Sequence, residues 1–449
     1  MLPEAFINRM RALLGNEAEA FFATYEKSPV RALRINRIKA GNAAAEALFP
    51  FPITPIPYDA DGYIFAEEHI GHTPLHHGGG IYVQDPGAMS AVAALPLKEG
   101  MRVADLCAAP GGKSAQLAAA IGESGLLYAN EYASSRAKIL VSNLERLGVT
   151  NATVTSTDTA DYKKWFSAYF DAVVVDAPCS GEGMFRKNEV AIEEWSEENV
   201  RRCADRQKEI LENAAPTVRD GGYLLYSTCT FSVEENEETV LHFLRAHPDY
   251  TLIEIETAIR EHTADGISLP GAEDIPLRFC RRFYPHIAEG EGQFLALMQR
   301  KTNDLPTIIY KDTSSVPSKE EVRVAEDFIK KTLTIPSDVQ IRRVGDRLVL
   351  LKEGQIPPRS VFLAGVCLGQ VEKGRLVPHH QLFSAYGNRF LRKVVLDDAD
   401  ALRYLRGEEL ATEEEGGFAA VFHNGIALGG GKCAAGRLKN HYPKGLRNP

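Results

Sequence analysis

The chain has 449 residues, of which 44% are hydrophobic and 25% charged, and its net charge is −9 at pH 7. This composition is typical of a folded protein with several domains and excludes a largely disordered chain. No apolar run approaches the roughly 20 residues of a membrane-spanning helix, and the acidic balance requires any contact with a polyanion to be local. Seven cysteines without a Cys-x-x-Cys pair argue against a disulfide framework or zinc site, so we expect no metal and a cytoplasmic protein without an export signal.

The first predicted region, residues 1–95, begins with an amphipathic helical pattern. Its apolar side chains recur at helical spacing: Phe6, Met10, Leu13, Leu14 and Phe21. A basic run follows, in which charged and apolar residues alternate, at Arg31, Arg34 and Arg37. Such a run is most often a solvated face of a strand or helix, but in an acidic protein it is also a candidate for local contact with a polyanion.

Residues 96–300 alternate short apolar runs with helical patterns. The predicted strands are 102–106, 125–129, 152–155, 171–175 and 222–227, and the predicted helices include 113–121, 134–147 and 197–218. This alternation predicts an α/β fold with right-handed crossovers and a parallel, doubly wound sheet. Ligands of such sheets bind beyond the carboxyl ends of the strands, so we expect the functional residues directly after each strand.

The remaining chain divides into three predicted segments. Residues 301–320 are polar and contain two prolines, which predicts a linker. A small intermediate domain is expected at 321–384 and a last domain at 385–449. The end of the chain has basic but no acidic residues from position 432 onward, and we take it as a second candidate for contact with a polyanion. Its basic side chains include Arg437, Lys439, Lys444 and Arg447.

A glycine-containing loop connects the strand at 102–106 to the next helix. Its residues are Cys107, Ala108, Ala109, Pro110, Gly111, Gly112 and Lys113. Glycines at this place let the backbone approach a ligand, with free N–H groups directed at an anion. A P-loop requires glycine where Cys107 stands, and the dinucleotide fingerprint G-x-G-x-x-G is absent. S-adenosylmethionine (AdoMet) presents a small carboxylate instead of a phosphate chain, so we predict it as the cofactor of this shorter loop.

Three acidic residues follow successive strands beyond this loop. Glu131 follows the second strand, where a carboxylate can accept both ribose hydroxyls. Asp158 follows the third strand, placed to meet the adenine amino group, and Asp176 ends the fourth, near the methyl-transfer end. A single acid after a strand is often only a helix cap, whereas three beside one loop indicate a cofactor site.

Two cysteines follow the last two strands of the predicted sheet. Cys179 lies in the motif DAPCSG and Cys229 in STCT, so both are expected at the same edge of the sheet. A lone cysteine is usually a small buried apolar residue, but two at adjacent strand ends indicate chemistry. Carbon 5 of a pyrimidine is not nucleophilic, and thiolate attack on carbon 6 makes it an enamine carbon that can accept a methyl group. Position alone leaves open which cysteine attacks, and Asp176 is the nearest acid that could stabilise the ring.

Several motifs resemble those of a known family. The segments CAAPGGKS, DAPCSGEGMFRK, YSTCTF and RFYPH resemble the Fmu/Sun-type RNA cytosine-C5 methyltransferases. RALRIN, YVQDPGAMS and the ending YLRGEEL…LGGGK…GRLKNHYPKGLR resemble the branch of that family called ribosomal RNA methyltransferase F. The resemblance covers essentially the whole chain. It implies a Rossmann-like class I AdoMet-dependent methyltransferase core at 96–300, an N-terminal RNA-binding domain at 1–95 and a PUA-like RNA-binding domain at 385–449.

The resemblance also implies roles for individual residues. Cys229 would be the nucleophile and Cys179 would assist product release, with Asp176 and Lys113 completing the catalytic group. AdoMet would be held by Cys107, Ala108, Ala109, Pro110, Gly111, Gly112, Lys113, Glu131, Arg136, Asp158 and Asp176. The expected substrate is 16S rRNA, free or in the 30S subunit, at cytosines of the decoding region, and neither DNA nor a membrane is an expected partner.

Two alternatives stay open on the sequence. A non-catalytic RNA-binding factor of ribosome assembly could keep the AdoMet fold as a scaffold, although every residue that the chemistry needs is present. A small-molecule or protein methyltransferase could carry the two cysteines incidentally, although this leaves the basic C-terminus unexplained. Arg282 and His286 match a family motif for which we expect structural support.

Overall fold

The structure is a computed structural model that describes residues 2–301 and 306–447. Its N-terminal helices are α1 (Glu4–Leu14), α2 (Ala18–Ala23), α3 (Arg37–Ala40), α4 (Ala45–Leu48), α5 (Pro74–His77) and α6 (Pro86–Ala93). The strands of this part are β1 (Ala32–Ile35), β2 (Ile53–Ile56), β3 (Asp59–Phe65) and β4 (Ile81–Val83), and they pair in the order β2-β3-β1-β4. Within the described ranges, no helix combines the length and apolarity needed to cross a membrane.

The central part of the chain contains the α/β core. Its strands are β5 (Arg102–Asp105), β6 (Leu126–Asn130), β7 (Ala152–Thr155), β8 (Phe166–Ser167), β9 (Phe170–Asp176), β10 (Val218–Thr228), β11 (Tyr250–Leu252), β12 (Ala264–Asp265), β13 (Arg281–Phe283) and β14 (Gln293–Arg300). Its helices are α7 (Gly112–Ala120), α8 (Ser134–Arg146), α9 (Thr159–Trp165), α10 (Glu189–Glu194), α11 (Glu197–Ala214), α12 (Glu237–Ala246) and α13 (Thr257–Arg260).

The C-terminal part adds two smaller antiparallel or mixed sheets. Its helices are α14 (Lys319–Thr332), α15 (His380–Tyr386) and α16 (Asp398–Leu405). Its strands are β15 (Ile308–Ile309), β16 (Val339–Val344), β17 (Arg347–Lys352), β18 (Val361–Ala364), β19 (Val366–Glu372), β20 (Arg375–Pro378), β21 (Lys393–Leu396), β22 (Leu410–Ala411), β23 (Gly417–His423), β24 (Ile426–Ala434) and β25 (Arg437–Asn440). The sheet orders are β16-β17-β19-β20 and β21-β23-β24-β25-β22.

The central sheet confirms the predicted doubly wound topology. Its strands run in the order β12-β13-β14-β10-β9-β5-β6-β7-β18 along the described chain, and β11 pairs with β14. The pairs β10–β9, β9–β5, β5–β6 and β6–β7 are all parallel. These are the five strands that the sequence predicted. Their carboxyl ends therefore meet at one edge of the sheet, as the sequence analysis required.

Burial on both faces explains why β9 reads as an unbroken apolar run. Residues 172–175 have no exposed surface. On one face, α7 and α8 contribute Leu117 and Leu140 to the apolar core, and on the other, α11 and α12 contribute Leu211 and Phe243. Because helices cover both faces, a ligand must approach the parallel strands at their ends, and in such sheets it binds beyond the carboxyl ends.

The segments after residue 300 are joined more closely to the core than a simple linker suggests. Residues 302–305 of the predicted linker lie outside the described residues, but β15 of the same segment pairs with β8. Strand β18, from the predicted intermediate domain, extends the central sheet by pairing antiparallel with β7. Helix α15 spans the predicted boundary between 384 and 385. The domain boundaries stay a prediction.

The N-terminal basic run differs from the expected surface. Strand β1 lies between β3 and β4, and Arg34 is only 2% exposed, so the expectation that Arg34 contacts RNA is wrong. Arg37 pairs with Asp61 at 2.6 Å. Arg31 remains exposed, with its guanidinium 5.0 Å from the ring centroid of Phe65. At the other end of the chain, the structure exposes the expected basic side chains Arg437, Lys439 and Lys444, and leaves Arg447 half-buried.

Candidate active site

The glycine loop (residues 107–113) connects β5 to α7 at the open edge of the sheet. Gly111 precedes α7 with φ near +115°, a left-handed conformation that favours glycine. A Cβ at Gly112 would lie 2.7 Å from Cε1 of Tyr82, so a larger residue cannot be placed there without a shift. The side chain of Arg136 donates to the carbonyl of Ala109 at 3.0 Å and holds the loop from α8. The loop thus presents the N-terminus of α7 to a ligand.

Glu131 lies directly after β6 and is joined to this loop. It is only 4% exposed, and its Oε1 accepts the N–H of Ala133 at 3.0 Å. Its Oε2 lies 3.5 Å from the guanidinium of Arg136. Arg136 also donates to the carbonyl of Ala109. Its side chain therefore connects Glu131 to the glycine loop, so both can contact the same ligand.

Asp158 lies after β7, the strand next to β6 in the sheet. Its side chain is exposed, and its Oδ1 accepts the N–H of Ala160 at 2.8 Å. Asp158 therefore caps α9. The structure places it at the same sheet edge as Glu131, and the capping role that the sequence analysis weighed is present as well.

Lys113 and Asp176 form the charged centre of the site. Lys113 Nζ donates to Asp176 Oδ2 at 2.8 Å, and the Ser227 hydroxyl donates to Oδ1 at 2.7 Å. Burial opposes the charge of the Lys113 ammonium, but the attraction of Asp176 and its hydrogen bond outweigh this effect, so the pKa of Lys113 is raised. Both oxygens of Asp176 are thus fixed in place by partners from α7 and β10.

The two cysteines are in contact. Ser227 lies opposite Asp176 in the parallel pair β10–β9, so the loops that follow these strands lie side by side. The sulfur atoms of Cys179 and Cys229 are 3.2 Å apart, and both are free thiols. The hydrogen bond to Cys229, together with burial, raises the pKa of Cys179 well above its ordinary value. The Cys179 thiol therefore stays protonated at neutral pH.

Family models match this chain in three consecutive parts. The N-terminal domain of 16S rRNA methyltransferase RsmF matches residues 2–86, 16S rRNA methyltransferase RsmB/F matches 92–299, and the methyltransferase RsmF PUA domain matches 391–448. Ribosomal RNA small subunit methyltransferase F of Vibrio vulnificus is 31% identical over 467 residues, covering 99% of this chain and 97% of the relative. The chain belongs to the RsmB/F family of 16S rRNA methyltransferases.

Two solved structures share the fold of the core. A methyltransferase homolog protein from Pyrococcus horikoshii is 27% identical, with a TM-score of 0.57 over 66% of this chain and 95% of that chain. NSun6 from the same organism, solved with SFG, is 20% identical, with a TM-score of 0.57 over 67% of this chain and 99% of that chain. The similarity to NSun6 shows a shared fold alone.

Membership in the RsmB/F family confirms the resemblance stated from the motifs. The core is an AdoMet-dependent methyltransferase domain of Rossmann-like fold, with an RsmF N-terminal domain before it and a PUA domain after it. The chain is accordingly an enzyme of the methyltransferase class. The roles of the individual residues stay predictions.

Asp105 is a buried acid beside the candidate site that the sequence analysis did not single out. It ends β5 two positions before the glycine loop, is 1% exposed, and accepts a hydrogen bond from the Ser114 hydroxyl at 2.6 Å. Burial raises its pKa to about 7, and the neighbouring Asp176 adds to the shift. The signal in the sequence is an acid near the end of the predicted strand 102–106, similar to the signal that identified Asp176.

Arg282 and His286, from the RsmB/F motif RFYPH, brace the core. Arg282 is almost fully buried and pairs with Glu237, and it also donates to the carbonyl of Phe231 at 2.9 Å. His286 Nε2 lies 3.1 Å from a carboxylate oxygen of Glu17. These contacts connect the end of the core to α12 and to the N-terminal part, in line with the expected structural support.

Proposed function

We propose that this chain transfers the methyl group of AdoMet to carbon 5 of a cytosine in 16S rRNA through a covalent bond between Cys229 and carbon 6. The observation that supports it most is the pair of thiols, 3.2 Å apart, beside the Lys113–Asp176 ion pair. Methyl transfer to oxygen or nitrogen needs no thiol because those acceptors carry lone pairs. Carbon 5 has none, so a nucleophile must first add to the ring.

Cys229 begins the reaction in this proposal. Its thiolate attacks carbon 6, and the electron pair of the 5,6 double bond makes carbon 5 nucleophilic. Asp176 stabilises the ring at N3 or the amino group, because Lys113 and Ser227 hold both of its oxygens in place. When bound, AdoMet supplies the methyl group that carbon 5 accepts.

Cys179 acts in the release of the product. After methyl transfer, the proton on carbon 5 leaves, the bond between carbon 6 and sulfur breaks, and Cys229 departs as a thiolate. The raised pKa of Cys179 keeps its S–H intact, next to the Cys229 sulfur. We assign Cys179 the stabilisation of this departing thiolate, with the carbon-5 proton passing to water.

The residues around the glycine loop fit AdoMet as the donor. The left-handed Gly111 opens the N-terminus of α7 to a small carboxylate. The buried Glu131 offers a carboxylate for ribose hydroxyls, with Arg136 fixing its position. We assign cofactor contacts to residues 107–113, Glu131, Arg136, Asp158 and Asp176.

The RNA contacts assigned to this chain lie outside the core. The exposed basic side chains at the C-terminal end, Arg437, Lys439 and Lys444, lie in a part that matches the RsmF PUA domain. We propose that this part and residues 1–95 hold ribosomal RNA, that the target cytosines belong to the decoding region, and that the enzyme acts in the cytoplasm.

Bisulfite sequencing of 16S rRNA tests the proposed activity. A deletion strain should lose 5-methylcytosine at one or more positions of 16S rRNA, and the wild-type gene should restore it while a Cys229→Ala gene should not. A parallel assay with radiolabelled AdoMet on total RNA, protein and metabolites separates this activity from a protein or small-molecule methyltransferase. An unchanged bisulfite pattern in the deletion strain would contradict the proposal.

A further inference from the structure

A buried acidic residue contacts the loop that carries Cys179 and is linked through it to the loop that carries Cys229. Glu235 follows Cys229 by six positions and has no exposed surface. A buried carboxylate is costly unless hydrogen-bond donors surround it, so its partners show which part of the structure it stabilises. The methyl-transfer steps proposed above make no use of it.

The donors to this carboxylate hold the Cys179 loop on both sides. Glu235 Oε2 accepts the backbone N–H of Ser180 at 2.9 Å and the side-chain amide of Gln207 at 2.8 Å. Its Oε1 accepts the Ser180 hydroxyl. The Gln207 amide also donates to the carbonyl of Pro178 at 3.0 Å. One acid–amide pair therefore fixes the residues before and after Cys179.

The same network reaches the loop of Cys229. The hydroxyl oxygens of Ser180 and Thr230 are 2.9 Å apart. Since Ser180 gives its proton to Glu235, Thr230 is the donor in this pair. Thr230 directly follows Cys229, whose carbonyl also accepts the N–H of Gly183 at 2.9 Å. The network thus joins the residue after each cysteine, and with it the positions of the two sulfurs.

We infer that Glu235 is a positioning residue that keeps the Cys179 thiol against Cys229 during product release. This inference rests on the proposed function, in which Cys179 stabilises the departing thiolate. A hydrogen bond at 3.2 Å between sulfurs weakens when one loop moves by a fraction of an ångström, and small misplacements of a catalytic group slow a reaction strongly. Glu235 acts through Ser180 and Gln207 and does not touch the ring.

The test compares Glu235→Gln with the matched variant Glu238→Gln, using the full chain, AdoMet and 16S rRNA. Glu235→Gln keeps the shape of the side chain but replaces the carboxylate by a neutral amide, so the hydrogen bonds from Ser180 and Gln207 lose their charged acceptor. We expect release to slow about 10- to 100-fold, because three hydrogen bonds are weakened together when their acceptor loses its charge. A protein–RNA adduct stable to denaturing gel electrophoresis should then accumulate, with AdoMet affinity unchanged. Glu238 is exposed, and its variant should behave like the wild type.

A second variant keeps the inference testable if Glu235→Gln does not fold. Ser180→Ala removes only the hydroxyl between Glu235 and Thr230, and it should accumulate the same adduct to a smaller extent. Folded variants that lose activity without an adduct, or that turn over like the wild type, overturn the inference. Cys179→Ala separates the two levels of the argument. No adduct from Cys179→Ala contradicts the proposed function, whereas an adduct there and none in the network variants contradicts the role of Glu235 alone.

Discussion

The candidate site has two halves that are held in place in different ways. The donor half consists of the glycine loop and Glu131, and the thiol half consists of the loops that carry Cys179 and Cys229. On the donor half, Glu131 and the glycine loop are connected mainly through backbone groups and the partly exposed Arg136. On the thiol half, a buried network centred on Glu235 connects two loops that are fifty residues apart in sequence. Substitutions on the donor half should therefore change affinity, whereas substitutions on the thiol half should change which step of the reaction is completed.

The largest expected effect belongs to the nucleophile. Cys229→Ala cannot form the covalent bond to carbon 6, so methyl transfer to RNA should fall by roughly 10³-fold or more, as when a covalent nucleophile is removed. Cys203 is a half-buried thiol on α11. The control variant Cys203→Ala should keep wild-type activity. Single-turnover methyl transfer measures both. Substantial activity in Cys229→Ala would show that the thiol half does not carry the chemistry.

The next effect tests the junction of the two halves. Asp176→Asn weakens the contact with Lys113 and leaves its buried ammonium without an anionic partner, so kcat should fall about 10²- to 10³-fold, as when a preorganised electrostatic interaction is removed. Asp171 lies at the other end of the same strand and pairs with Arg219 at 2.5 Å. Asp171→Asn should lower thermal stability and leave kcat unchanged. Equal losses of kcat in both variants would indicate a purely structural role for Asp176.

A smaller effect is expected on the donor half alone. Glu131→Ala removes a buried acceptor of the proposed ribose contact, so AdoMet affinity should fall about 10- to 150-fold. The loss of affinity in Asp158→Ala should lie at the low end of this range, because Asp158 is exposed. Isothermal titration calorimetry measures both affinities. Unchanged affinity in both variants would remove the assignment of the cofactor site.

The smallest effect concerns the basic surface outside both halves. Replacing Arg437, Lys439 and Lys444 by glutamine should weaken the salt dependence of RNA binding. The logarithmic slope should decrease by about 0.7–0.9 for each RNA phosphate that is no longer neutralised. Arg31→Gln is a single-charge comparison at the N-terminal end. A slope unchanged by the triple substitution would mean that the C-terminal charges are only a solvated surface.

Local patterns in the sequence predicted the fold of the core. The apolar runs that became β5, β6, β7, β9 and β10 are buried on both faces, and such strands leave a clear signal. The topology then placed Asp176, Cys179 and Cys229 at one edge without any knowledge of their contacts. Their position at or directly after a strand was enough to predict that these residues lie at the same edge of the sheet.

Two features could not be predicted because they depend on pairing between distant segments. Arg34 alternates with apolar residues as a surface residue would, but β1 became an interior strand with both faces covered. Glu235 looked like one acid among several in VEENEE, and only its contacts with Ser180 and Gln207 distinguish it. A sequence identifies which residues reach a sheet edge more readily than which residues hold them there.

The most direct test of the account is a denaturing gel of Cys179→Ala and Cys229→Ala after incubation with AdoMet and 16S rRNA. Cys179→Ala should methylate once and remain attached to the RNA, so a protein–RNA adduct accumulates. Cys229→Ala and the double variant should form none, because the attacking thiolate is missing. An adduct in Cys229→Ala and none in Cys179→Ala would reverse the two roles, and near-normal turnover without an adduct in both would contradict covalent catalysis altogether.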